Sequence, residues 1–264
     1  MVCLDLADTV TVKPAEGTSH RVVWASDAVK PSPIDWPIER DLAVRAHRAL
    51  EAKLGRELLC EMVVEKRIPV GGGLGGGSSD AASALLALRE AFGLAVSDDE
   101  LAAIGARLGS DVPFFVDPDH RPALVTGFGE TIERTPAVRG ELLLLVPPFG
   151  CGTPEVYRAF DAIKGSGGPE EARVREMARA GLEPSAWFND LEAAAFRVEP
   201  RLAQIRDRAS EVLGTRVMMT GSGSTLLAWQ PTAARIGTLQ ERVLADRESG
   251  GPLAGCVALS TRFV

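Results

Sequence analysis

Cysteine and histidine are both scarce in this chain. The cysteines are Cys3, Cys60, Cys151 and Cys256, and the histidines are His20, His47 and His120. The cysteines lie far apart and form no CxxC pair. This argues against a disulfide framework or a zinc site and favours a reducing, cytoplasmic compartment. The histidines are too scattered to have the ligand spacing of a metal centre. No apolar run approaches the roughly 18 residues of a membrane-spanning helix. The opening Met1-Val-Cys-Leu-Asp-Leu-Ala-Asp8 lacks the basic start of a signal peptide. Positive charge is in deficit, with 36 acids against 29 bases and a net charge of −7. That balance argues against a general nucleic-acid binder, yet a local site can still accept an anion. No internal repeat is present.

What remains is an ordinary globular composition over 264 residues, 45% apolar and 25% charged. This is enough for one large domain or two modest ones. Val2–Leu6 and Thr9–Val12 read as strand, the second by alternation. Residues 26–37, with Pro31, Pro33 and Pro37, read as loop. Asp41 is placed to cap a helix bearing Leu42, Ala46, Ala49 and Leu50 on one face, and Gly55 to end it. Leu58–Glu65 reads as strand. Ser97 and Glu100 have capping-box spacing, followed by Leu101, Ile104 and Leu108 on one face. Leu142–Val146 reads as strand and runs into Pro147-Pro148, where a domain boundary is expected. Gly165–Pro169 reads as a surface loop. Pro200 opens a helix through Leu202, Ile205 and Ala209 that Gly214 closes. Val217–Met219 and Leu226–Trp229 read as strands joined by Gly221-Ser-Gly-Ser224. A helix near 232–246 and a strand near 256–259 finish the chain. Helices and strands alternate irregularly, so the expected class is a mixed α and β protein in two lobes.

One stretch demands a chemical reason: Pro69-Val-Gly-Gly-Gly-Leu-Gly-Gly-Gly-Ser-Ser-Asp80, with glycine at six of the seven positions from Gly71 to Gly77. Glycine weakens ordinary elements by roughly 0.5–1 kcal/mol per residue relative to alanine. A flexible linker would tolerate it. This run, however, lies between a strand and an alanine-rich amphipathic helix carrying Leu85, Leu88 and Phe92. Without Cβ atoms, backbone N–H groups can turn inward around an anion, and the helix N-terminus adds positive partial charge. The expected ligand is a phosphate. The run is not a Walker A loop, because it ends Gly77-Ser78-Ser79 without lysine. No clear acidic residue ends a following parallel strand at the distance a Rossmann fingerprint requires.

The same run resembles the ATP loop of the GHMP kinases, which include galactokinase, homoserine kinase, mevalonate kinase and phosphomevalonate kinase. Within them it most resembles the family of 4-diphosphocytidyl-2-C-methyl-D-erythritol kinases. Glu65-Lys-Arg-Ile-Pro69, Gly109-Ser-Asp-Val-Pro-Phe-Phe115, Thr153-Pro-Glu-Val-Tyr157, Phe188-Asn-Asp-Leu-Glu192 and Thr220-Gly-Ser-Gly-Ser224 carry the resemblance in order along nearly the whole chain. It implies an α+β, two-lobed GHMP kinase fold. The N-terminal lobe, 1–147, would be like ribosomal protein S5 domain 2 and bind ATP. The C-terminal lobe, 148–264, would be ferredoxin-like and face the substrate. The implied reaction is ATP- and Mg2+-dependent phosphorylation of a small molecule, a cytidine diphosphate derivative of methylerythritol, on its 2-hydroxyl.

The resemblance also implies roles. Asp111 would take or orient the proton of the substrate hydroxyl; the residue type equally suits a turn or helix cap. Pro69, Val70, Gly71, Gly72, Gly73, Leu74, Gly75, Gly76, Gly77, Ser78 and Ser79 would hold the nucleotide phosphates. One serine could face magnesium, and simple N-capping is the other use of the pair. Lys66 and Asp41 match positions near the adenine. The family often has Asn where Asp41 stands, and an ionised carboxylate cannot donate a hydrogen bond; capping the helix is the alternative. Trp187 would stack on the cytosine, with Phe188 as the other choice and a core tryptophan as the plain alternative. Gly221–Ser224 would be a second anion-facing turn or merely a tight connection. Ahead of the segment matched by Met1–Val12 the family carries a Pro-Ala-Lys-Ile-Asn strand and a Gly-Tyr-His turn. None of Lys13, Lys30, Lys53, Lys66 and Lys164 stands in a Pro-Ala-Lys-Ile-Asn pattern, and the only tyrosine is Tyr157. Three readings stay open: an ordinary kinase whose full chain starts upstream, a diverged nucleotide-binding protein with little activity, and a GHMP kinase for another small alcohol.

Overall fold

The computed structural model describes residues 1–163, 171–181 and 183–264. The expected Gly165–Pro169 loop lies outside the described residues. The chain divides into two units. One comprises Met1–Ile68 and Gly75–Thr135, the other Pro69–Leu74 and Pro136–Val264.

In the first unit, β1 (Thr9–Pro14), β2 (Ser19–Trp24) and β3 (Cys60–Lys66) form a sheet in the order β1-β3-β2. β3 runs antiparallel to β1, with Val10 opposite Val64, and parallel to β2, with Val22 opposite Val64. Both edges of β3 are thereby taken. The expected first strand forms no ladder; Met1 exchanges backbone hydrogen bonds with Ala123, and Leu4 keeps an isolated bridge. Strand parity turns Cys60, Met62, Val64 and Lys66 inward. Helix α1 (Leu42–Leu54) begins at Asp41, whose carboxylate accepts the N–H of Ala43 at 2.9 Å, and ends at Gly55 with φ +64°. Helix α2 (Gly76–Ala91) packs against it. Helix α3 (Asp98–Ala106) opens with the full Ser97–Glu100 capping box. The short helix α4 (Val112–Val116) and the hairpin of β4 (Ala123–Thr126) and β5 (Thr131–Arg134) complete the unit. Leu50, Met62, Leu85, Leu88 and Leu101 form its core.

The second unit is built on an antiparallel sheet in the order β7-β8-β6-β9. Its elements in chain order are β6 (Glu141–Val146), α5 (Thr153–Ile163), α6 (Glu171–Arg179), α7 (Glu192–Val198), α8 (Pro200–Leu213), β7 (Val217–Met219), β8 (Leu226–Gln230), α9 (Ile236–Glu248) and β9 (Val257–Arg262). β6 is central and buried throughout from Leu142 to Val146, which is why it reads as an unbroken apolar run. Leu143 and Leu145 meet Leu202, Ile205 and Val243 in the core. The division falls at Thr135/Pro136 rather than at the prolines after β6. The partners of β6 are β8 and β9, so the strand travels with the second sheet.

Candidate active site

Helix α2 starts inside the glycine run. Its N-cap is Gly75, at φ +71°, with no side chain to satisfy the first turn's N–H groups. Ser78 and Ser79 therefore lie within the first turn and do not cap it, which corrects the capping alternative. Ser79 Oγ instead donates to the Gly76 carbonyl at 2.9 Å. The orphan amides and the aligned peptide dipoles leave a donor-rich, partly positive helix end.

Neighbouring elements of the first unit crowd this end. A Cβ on Gly77 would stand 3.2 Å from Leu42 Cδ1, next to the Asp41 cap. A Cβ on Gly76 would stand 3.0 Å from Ile68 Cγ2 and 3.4 Å from Lys66 Nζ. A Cβ on Gly109 would meet Ser78 Oγ at 3.8 Å, so the turn that carries Asp111 abuts the same helix start. The unit thus brings Asp41, Lys66, Gly76–Ser79 and the Gly109–Asp111 turn together.

Each expected residue has a definite place. Asp41 caps α1 and also accepts Trp36 Nε1 at 3.2 Å. Lys66 is 4% exposed, and its ammonium donates to Asp8 and, at 2.6 Å, to Asp80. Burial opposes its charge, but the two carboxylates outweigh burial and raise its pKa. Asp111 stands at the N-terminus of α4 without using its side chain as a cap. Burial pushes its carboxyl above the ordinary value; the nearby α-amino group and Ser110 work against that. This is the direction that suits a proton acceptor working near neutrality.

In the second unit, Pro69–Leu74 rests on the Thr220–Thr225 turn. Thr225 N–H donates to the Gly72 carbonyl at 3.1 Å, and Thr220 Oγ1 to the Gly73 carbonyl at 3.2 Å. Gly73 has φ +70°, and a Cβ there would lie 2.5 Å from the Thr220 carbonyl oxygen. Asn189 Nδ2 donates to the carbonyls of Met219 and Gly221 at 2.9 and 2.8 Å, holding that turn in shape. Trp187 is half-buried and meets Phe263 edge-on at 6.0 Å between ring centroids. A cleft of about 510 Å³ between Arg206, Ser210 and Met218 contains none of the expected residues.

Sequence reasoning missed Asp8 and Asp80. Asp80 ends the quoted loop motif and could have been singled out there. Asp8 carries no local signal, because its partners are some 60 residues away.

Residues 41–117 match the family model described as the GHMP kinases N terminal domain. The chain is 32% identical over 236 positions to a 4-diphosphocytidyl-2-C-methyl-D-erythritol kinase of Carboxydothermus hydrogenoformans, covering 86% of this chain and 77% of that one. It is 34% identical over 271 positions to the protein of the same name from Heliobacterium modesticaldum, covering 96% and 83%. Among solved structures it resembles a 4-(cytidine 5'-diphospho)-2C-methyl-D-erythritol kinase, with a TM-score of 0.69 at 30% identity over 98% of this chain and 87% of that one. The homoserine kinase of Cytophaga hutchinsonii has a TM-score of 0.72 at 14% identity over 100% and 88%, a likeness of fold alone.

Proposed function

The chain belongs to the 4-diphosphocytidyl-2-C-methyl-D-erythritol kinase family of the GHMP kinases, and from that premise we propose that it transfers the γ-phosphate of ATP to the 2-hydroxyl of 4-diphosphocytidyl-2-C-methyl-D-erythritol. The observation that carries the reading is the uncapped start of α2 within the glycine run, next to the turn bearing Asp111. The free amides of that helix end and of the loop would hold the phosphates, doing electrostatically what a lysine does in Walker loops. Phosphoryl transfer asks a protein mainly for positioning and charge stabilisation. Asp111 would orient the acceptor hydroxyl and accept its proton as the new O–P bond forms. Asp41 and Lys66 would border the adenine. Trp187 would offer its face to the cytosine.

Mg2+ takes oxygen ligands and in phosphotransfer sites is held largely by substrate phosphates. Among the described residues, no group of three or more His, Cys, Asp or Glu could hold a metal ion alone. The residues present fit an ion that arrives with the nucleotide, to which the hydroxyls of Ser78 and Ser79 can add protein oxygens. When bound, the ion would neutralise charge on the phosphates. No helix among the described residues is long and apolar enough to cross a membrane. Widely spaced cysteines kept as thiols and a need for ATP support a cytoplasmic setting.

The test is an ADP-release assay with the cytidyl substrate, run beside homoserine, mevalonate and galactose. Turnover confined to the cytidyl substrate is the expected result. Preference for a simple alcohol would overturn the substrate assignment and leave the kinase class standing.

A further inference from the structure

The alternation of β3 turns Lys66 toward the interior, where an unpaired ammonium would be costly. Two carboxylates meet it there, one from Asp8, just ahead of β1, and one from the second turn of α2, Asp80. Neither acid is spare. Asp8 Oδ1 also accepts the backbone N–H groups of Arg67 and Ile68, at 2.5 and 2.8 Å. Its two oxygens therefore hold the lysine side chain and the two residues that lead from β3 into the glycine run. Asp80 holds the same lysine from the far end of the run. Both side chains are at least 95% buried.

We infer that Asp8 and Asp80 are positioning residues for the nucleotide loop: through Lys66 they tie the strand that enters the loop to the helix that leaves it. The inference rests on the ATP-binding reading of that loop. A glycine-rich segment has little shape of its own; the 220–225 turn holds this one at Gly72 and Gly73, and its two ends need anchors of their own. The entrance is set at Arg67 and Ile68 by Asp8, and the exit at α2 by Asp80. Lys66, close beneath Gly76, joins the two. Neither acid need touch the nucleotide; each acts on backbone that does.

The experiment compares Asp8→Ala, Asp80→Ala and Asp80→Asn with the unaltered chain. It measures calorimetric affinity for a non-hydrolysable ATP analogue, amide hydrogen exchange across 67–79, and KM for each substrate. Stranding buried N–H groups or the ammonium should weaken the analogue about tenfold or more in both alanine variants. Exchange across 67–79 should speed up, while KM for the phosphate acceptor stays within about twofold, because the loop alone is loosened. Asp80→Asn, which can still accept from Lys66, should return affinity to within about threefold of the unaltered chain. Alanine variants with unaltered analogue affinity and exchange would overturn the inference, as would equal loss for both substrates. If the alanine variants do not fold, Asp8→Asn, with one acceptor oxygen fewer, should still weaken the analogue by about threefold; no change would count against the inference. If the unaltered chain binds no analogue, the nucleotide reading fails, while the exchange data still judge the cluster.

Discussion

Gly71 and Gly73 offer a test in which only one physical variable changes. Both adopt φ +70°. A Cβ on Gly71 meets nothing within 4 Å, whereas one on Gly73 would lie 2.5 Å from the Thr220 carbonyl oxygen and 2.9 Å from the Gly223 nitrogen. Gly71→Ala should therefore carry only the left-handed backbone cost, roughly 1–2 kcal/mol. Gly73→Ala adds a collision with backbone that cannot rotate away, roughly 1–3 kcal/mol more. If the free loop relaxes to relieve the strain, the cost appears on binding. Gly71→Ala should then weaken an ATP analogue about 5- to 30-fold, and Gly73→Ala by at least ~30-fold. If the loop cannot relax, the same ordering appears in the midpoint of thermal unfolding. Calorimetric titration and a melting curve on each variant cover both routes. Equal effects of the two substitutions would refute the close approach of Gly73 to the 220–223 turn. Unaltered affinity and melting in both would reduce the run to a linker.

Asp111→Asn should lower turnover by about 10²–10⁴ with nucleotide affinity little changed. Because burial raises the Asp111 carboxyl and the base must be ionised, activity should fall on acidification at a pH above the ordinary carboxylate value; a limb at or below that value in a pH–rate profile would contradict the role. Asp80 is raised from 3.8 to about 7, first by burial, against the pull of Lys66 and with the push of Asp8. A carboxyl raised in the folded state binds more protons there than in the unfolded chain, so its contribution to stability is full below 3.8 and lost as pH rises through about 7. Asp80→Asn should flatten the melting temperature against pH across that window, and an unchanged slope would refute the coupling. Trp187→Ala should raise KM for the cytidyl substrate about 5- to 150-fold, as stacking worth 1–3 kcal/mol requires, and leave KM for ATP near its original value. Ser97→Ala should cost about 1 kcal/mol in chemical denaturation through loss of the α3 capping box.

Much of this molecule was legible in its sequence because the governing interactions are local. Asp41 and Gly55 bound α1 as expected, and Ser97 with Glu100 opens α3, since caps act within three or four residues. Pro200 and Gly214 delimit α8 for the same reason. The glycine run points by itself to a backbone-led anion site, the reading on which the proposed function draws, because few other uses justify so many missing Cβ atoms. Long-range pairing decided the rest. Strand-like Val2–Leu6 forms no ladder: Met1 exchanges backbone hydrogen bonds with Ala123, Leu4 keeps an isolated bridge, and β3 takes β1 and β2 as its neighbours. Glycine propensity would delay the start of α2, yet Gly75 in a left-handed conformation begins it within the run, and the two serines pass from caps to first-turn residues. β6 joins β8 and β9 rather than the strands before it, which moves the boundary ahead of the paired prolines. Lys66 was readable as part of a motif, but its partners were not. A buried charge is satisfied by whatever the tertiary structure brings within hydrogen-bond reach, and here that is a carboxylate 58 residues away.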